Sequence, residues 1–156
     1  MIQNDILRRL RYALSINDPT MLAIFKHAGH TLDLPGLKNL LKKEEEAGYT
    51  VCSDRVLGAF LDGLIIHKRG KKETGPVQAN RPDPPLTNNV ILRKLRIALE
   101  LKEDDMLDIL KSAGVGISSS ELSAFFRKTD HANFRECGDQ FLRSFLKGLA
   151  LRYRPH

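Results

Sequence analysis

Displaced by 85 positions, the chain matches itself: residues 1–71 fall on 86–156 without a gap, and 25 of the 71 pairs are identical. Unrelated sequences of ordinary composition agree at roughly one position in sixteen. The chain is therefore a duplication, and its fold must be one that 71 residues can specify twice. Asn4, Ile6, Leu7, Arg8, Leu10, Arg11, Ala13 and Leu14 recur as Asn89, Ile91, Leu92, Arg93, Leu95, Arg96, Ala98 and Leu99. Met21, Leu22, Ile24 and Gly29 recur as Met106, Leu107, Ile109 and Gly114. A last block joins Cys52, Asp54, Leu57, Phe60, Leu61, Gly63 and Leu64 to Cys137, Asp139, Leu142, Phe145, Leu146, Gly148 and Leu149. Between the copies lies KETGPVQANRPDPP, residues 72–85, with four of the seven prolines. Proline fixes φ and holds the preceding residue extended, so a stiff linker is expected there.

Within each copy the apolar residues recur at helical spacing. Ile6, Leu7, Leu10, Ala13 and Leu14 make one stripe, with Asn4 expected to cap its start. A second helix opens at Asp18 and Pro19 and closes at Gly29, with Gly114 closing its counterpart. A third begins near Asp33 or Ser118, where Ser118 to Glu121 spells a capping box, and carries Leu37, Leu40 and Leu41 or Leu122, Phe125 and Phe126. A fourth is expected over 54–66 and 139–151. No stretch alternates over strand length. The expectation is an all-α protein: two tandem pseudo-symmetric bundles of about four helices, residues 1–71 and 86–156, packed on one another through their fourth helices. A unit of 71 residues is near the lower limit for one self-sufficient core, so apolar surface should be shared between copies or between chains. Gly63 and Gly148, in matched helix interiors, suggest a close helix approach.

Composition excludes whole classes. The 42% hydrophobic residues are too many for a disordered chain. No stretch nears the roughly 18 apolar residues of a membrane-spanning helix, and no leader pattern precedes Arg8 and Arg9. Two cysteines 85 positions apart make neither a disulfide framework nor a metal cluster, which fits a reducing, cytoplasmic setting.

Function is written more faintly. LRRLR and LRKLR place Arg8 and Arg11, and Arg93 and Arg96, on faces away from the leucines; with Lys43 and Lys128 they are candidate phosphate contacts. The plainer alternative is a solvated face paired to acids, and the net charge of +6 divides evenly as +3 on residues 1–80 and +3 on 81–156. The second and third helices loosely resemble a helix-turn-helix, but the turn is long and Leu34, Pro35 and Gly36 offer bases little hydrogen bonding. Cys52 and Cys137 precede an aspartate that would oppose a thiolate, so a buried apolar role is favoured over a nucleophile. His131, Arg135, Cys137 and Asp139 lie close enough in sequence to form a groove between the copies, the one opening for an enzyme reading. No metal-ligand set, phosphate loop or cofactor fingerprint is present, so neither metal nor cofactor is expected.

The repeated N-x-I-L-R-[RK]-L-R-x-A-L, with ELSAFFRK and HANFRECGDQFLRSFLKGL in the second copy, resembles the YehS-like family of bacterial proteins, built from a duplicated domain of unknown function. That resemblance implies a helical duplicated fold and transfers no activity. The expectation is a non-catalytic cytoplasmic binding or regulatory protein, monomer or homodimer. Its partner would be nucleic acid or, alternatively, another protein.

Overall fold

The computed structural model describes residues 1–70 and 85–154, so the expected linker at 72–85 lies outside the described residues apart from Pro85. Eight helices, and no strand, occur among the described residues. They are α1 Gln3–Ala13, α2 Asp18–His27, α3 Leu34–Leu41, α4 Asp54–Arg69, α5 Asn88–Ala98, α6 Glu103–Ser112, α7 Ser119–Ala124 and α8 Asp139–Tyr153. The second four repeat the first, giving an all-α fold of two four-helix bundles. None of these helices is long and apolar enough to cross a membrane.

Each copy is tied by one buried amide. Asn4 is not the expected cap; it sits in the first turn of α1 on the buried stripe with Ile6, Leu7, Leu10 and Ala13. Its Nδ2 donates to the carbonyls of Leu40 and Thr50, both at 2.9 Å, and its Oδ1 accepts from the Cys52 backbone N–H at 2.9 Å and the Tyr49 hydroxyl at 3.1 Å. Asn89 repeats this with Phe125 O at 3.0 Å, Arg135 O at 2.9 Å and Cys137 N at 2.8 Å. The end of the third helix and the loop before the fourth therefore have their backbone groups satisfied by the first helix, far away in sequence.

The true caps lie elsewhere. Thr87 caps α5, accepting from Val90 N at 3.2 Å, and Asn17 rather than Asp18 caps α2, accepting from Thr20 N at 2.9 Å. Asp33 and Ser118 cap the third helices as expected, but α7 stops at Ala124, leaving Phe125 and Phe126 just beyond it. The fourth helices run longer than expected, to Arg69 and Tyr153.

The corner after the first helix is also duplicated. Ser15 and Glu100 take φ of 51° and 53°, and the N–H of Ile16 and Leu101 returns to the carbonyl of Arg11 and Arg96 at 3.1 and 3.0 Å. This is the Schellman arrangement. The same arginines close it from the other side, donating from Nε to the carbonyls of Ile16 and Leu101, each at 3.1 Å.

Fourth helix on fourth helix is not the main contact between the copies. Instead α4 lies on α2 of its own copy and on α5 of the other, while α8 lies on α6 and on α1. One continuous core results, running from Ile6 and Leu10 through Phe60 and Leu64 to Ile91, Leu95, Phe145 and Leu149. The contact is isologous in the sense of a two-fold axis: Arg69 donates to the carbonyl of Ile97 at 3.4 Å, and Arg154, its counterpart, donates to the carbonyl of Tyr12 at 2.8 Å. Gly63 and Gly148 do mark close approach, but within each copy. A Cβ there would collide with the backbone carbonyl of Ile24 on α2 or Ile109 on α6.

Four outcomes are expected in urea unfolding followed by circular dichroism. Asn4→Ala leaves three backbone groups without partners, each costing about 1–3 kcal/mol, so it should lower stability by about 3–5 kcal/mol. Asn4→Asp should do more harm, because it sets a carboxylate against two carbonyls. Gly63→Ala should cost at least about 2 kcal/mol through overpacking. Gly58→Ala, on the same helix with nothing near its missing Cβ, should raise stability by about 0.5–1 kcal/mol.

Candidate nucleic-acid interface

Where α1 crosses α8 the two helices bound a hollow of about 470 Å³. Arg8, Arg9 and Tyr12 reach it from successive turns of α1. Gln140, Arg143, Ser144 and Lys147 reach it from α8, where the i, i+3, i+4, i+7 spacing puts them on one face. Leu146, Ala150 and Ala113 at the C-cap of α6 complete the wall. Among the described residues four cations line the hollow, and no carboxylate does.

Their states differ. Arg9 and Lys147 are exposed. Arg8 is anchored, donating to the Lys42 carbonyl at 2.8 Å and paired with Asp5. Arg143 is half-buried, with a neutral partner, the Gln140 side-chain oxygen at 2.6 Å. The acid whose ionisation Arg143 favours is Asp139, one helical turn away. There the Met1 amino group, at 2.6 Å, and then Asn88, at 2.8 Å, hold the carboxyl below the usual carboxylate range. A second hollow of about 370 Å³ adjoins the first across Arg8 and Tyr12 and is lined also by Arg11, Ile16 and Arg154.

The pseudo-two-fold gives this groove a counterpart where α5 crosses α4, and the two differ. Arg93 and Lys94 replace Arg8 and Arg9, but Gly58 stands where α8 has Arg143, Asp62 where it has Lys147, and Ile97 where α1 has Tyr12. Lys94 is ion-paired to Asp62. Four cations on one side thus face three cations and a carboxylate on the other, since Arg55 takes the place of Gln140.

The arginines expected to touch phosphate are divided by the structure. Arg8 lines both hollows. Arg11 is bound into the α1 corner and paired with Asp18, and Arg96 is bound into the matching corner with its guanidinium 4.8 Å above the Phe126 ring. Arg93, Lys43 and Lys128 are exposed and line neither hollow. Arg9, Arg143 and Lys147 were missed. Their signal lay in columns where the copies disagree, whereas the expectation was drawn from columns where they agree.

The residues proposed for a groove between the copies do not gather at this hollow. Arg135 sits 3.6 Å from Glu121 and over the Phe125 ring at 5.1 Å. His131 accepts from the Asn133 N–H at 3.0 Å. Cys137 and its counterpart Cys52 are buried, and burial first, then the neighbouring aspartate, pushes each thiol up to about 12. In the first copy alone, His27 and His67 approach to 3.4 Å across the ends of α2 and α4. Partial burial, then His27 and Lys68, lowers the His67 pKa. Among the described residues no three His, Cys, Asp or Glu side chains gather as a metal site would require.

Comparison with known proteins agrees with the duplication. The model of a family described as protein of unknown function (DUF1456) matches residues 3–70 and again residues 88–154. The uncharacterized protein YehS of Escherichia coli (strain K12) is 47% identical over 152 residues, covering 97% of this chain and 96% of that protein. No solved structure matches. Two matches to one family model, on two halves that each carry four helices in the same order, place the chain in the DUF1456 family.

Proposed function

We propose that this is a non-catalytic binding protein whose α1–α8 groove takes the phosphate backbone of a nucleic acid. The observation that carries the reading is the groove's unbalanced charge: Arg8, Arg9, Arg143 and Lys147 line it, with no carboxylate among the described lining residues. Arg143 is half-buried on a neutral amide, a situation that a bound anion would relieve. Arg8 is held by a backbone carbonyl, so it is already ordered for contact. Arg93, Lys43 and Lys128 contribute to the positive field that draws a polyanion toward the chain. Arg11 and Arg96 act on the fold.

The thiols support the absence of nucleophilic chemistry. With their pKa values near 12 both are neutral at physiological pH. In the folded protein at pH 8, Cys52 and Cys137 should resist iodoacetamide for hours and then alkylate together once denaturant is added, as read by intact mass. Rapid labelling of either thiol in the native state would remove this support.

Binding to a fluorescent oligonucleotide should weaken steeply with salt. Four phosphate contacts predict a slope of about −3 to −4 in a plot of log affinity against log salt concentration. Arg143→Ala combined with Lys147→Ala should reduce that slope by roughly 1.5 and leave the thermal midpoint nearly unchanged, whereas Lys43→Ala with Lys128→Ala should change it little. Failure of the folded protein to retain any oligonucleotide, or heparin, at low salt would refute the reading.

A further inference from the structure

The groove is concave, and its two walls are helices packed against each other. To read duplex DNA, an element normally stands clear of the protein and enters the major groove, about 12 Å wide. Neither α1 nor α8 stands clear, because each is half of the same interface. A single strand has no such requirement, since its phosphates can enter a hollow and its bases are free to stack on aromatic rings.

The aromatic ring is present. Tyr12 is 59% exposed and stands on the ridge between the two hollows, lining both. Arg154 lies over the ring at 3.8 Å and lines only the second hollow. The guanidinium therefore covers one face of a ring that also lines the cationic groove. Arg154 also donates to Tyr12's own backbone carbonyl at 2.8 Å, so the ring's support is fixed in place. The matched position on the other side shows what is added. Arg69 donates to the carbonyl of Ile97 at 3.4 Å in the same way, but an aliphatic side chain stands there. The backbone clip is thus common to both sides, while the ring accompanies only the side whose described groove-lining residues include four cations and no carboxylate.

We propose that the α1–α8 groove selects single-stranded nucleic acid, with a base stacked on the open face of Tyr12 and neighbouring phosphates on Arg9, Arg143 and Lys147. This rests on the nucleic-acid reading above and assigns it a strand type and a stacking residue. Base–aromatic stacking needs no particular base, so recognition would be tolerant of sequence.

The test uses the full chain and three labelled probes at one low salt concentration. These are a 15-nucleotide thymidine strand, a strand of the same length and charge with abasic sites, and a duplex of the same length. The wild-type protein should hold the thymidine strand about tenfold more tightly than the abasic strand, and more tightly than the duplex. Tyr12→Ala should lose that tenfold preference while binding the abasic strand as before, Tyr12→Phe should keep it, and Ile97→Ala should behave as wild type. Equal binding of the duplex and the thymidine strand, or an unchanged preference in Tyr12→Ala, overturns the single-strand inference and leaves phosphate binding standing. No binding of any probe overturns both.

Discussion

Everything in each copy is arranged around the buried amide of Asn4 or Asn89. A carboxamide has two donors and a two-lone-pair acceptor, and here it spends them on the backbone of two segments about 36 and 46–48 residues away. The third helix is short, especially α7 at six residues, and the stretch after it has no regular ladder. Without the amide, the carbonyl at the end of that helix and the N–H of the cysteine would be buried without partners, and the loop carbonyl of Thr50 or Arg135 would lose its tie to the first helix. The cysteine, tucked beside the amide and nearly inaccessible, is the apolar complement of this junction. Its raised pKa is a by-product of being packed there.

A junction of that kind closes one copy but does not give it a large enough core. Crosswise packing supplies the rest. Each fourth helix is buried on two sides, by the second helix of its own copy and the first helix of the other. Approach on the first side is set by glycine, where the backbone of α4 meets the Ile24 carbonyl directly. Approach on the second is held by apolar contact and by the arginine that ends each fourth helix. The two copies are therefore interlocked, and the weakness expected of a 71-residue unit is met by sharing one core rather than by abutting two.

Much of this was legible as pattern and little as partnership. Helical periodicity located all eight helices, because a stripe of leucines records that a face is buried. The stripe does not record what buries it, which is why the fourth helices were expected to face each other. Asn4 shows the same limit: a polar residue at the start of a helix reads as a cap, and its place within the apolar stripe was the clue that it points inward. Arg11 and Arg96 look like surface cations in sequence, since their acceptor five residues on comes within reach through the left-handed turn at Ser15 or Glu100. Arg143 and Lys147 look like two more charges on a long helix until α1 is laid against them.

A pseudo-two-fold applied to two identical copies would make two identical grooves, so whatever distinguishes the grooves must come from positions where the copies differ. Beside Arg55, which stands where the other side has Gln140, three such positions matter. At Gly58 and Arg143 one side loses a cation that the other keeps; at Asp62 and Lys147 one side gains a counterion for Lys94; at Ile97 and Tyr12 one side lacks the ring. The core columns on the same helices, Leu57 with Leu142, Phe60 with Phe145 and Leu64 with Leu149, are unchanged. Divergence at these three positions thus leaves packing alone, moves charge at two of them and removes a ring at the third. One crossing becomes an ionic clasp between the copies, and the other becomes an open cationic groove. An even +3 on each half conceals this, because the asymmetry lies between the faces each half presents at the two crossings.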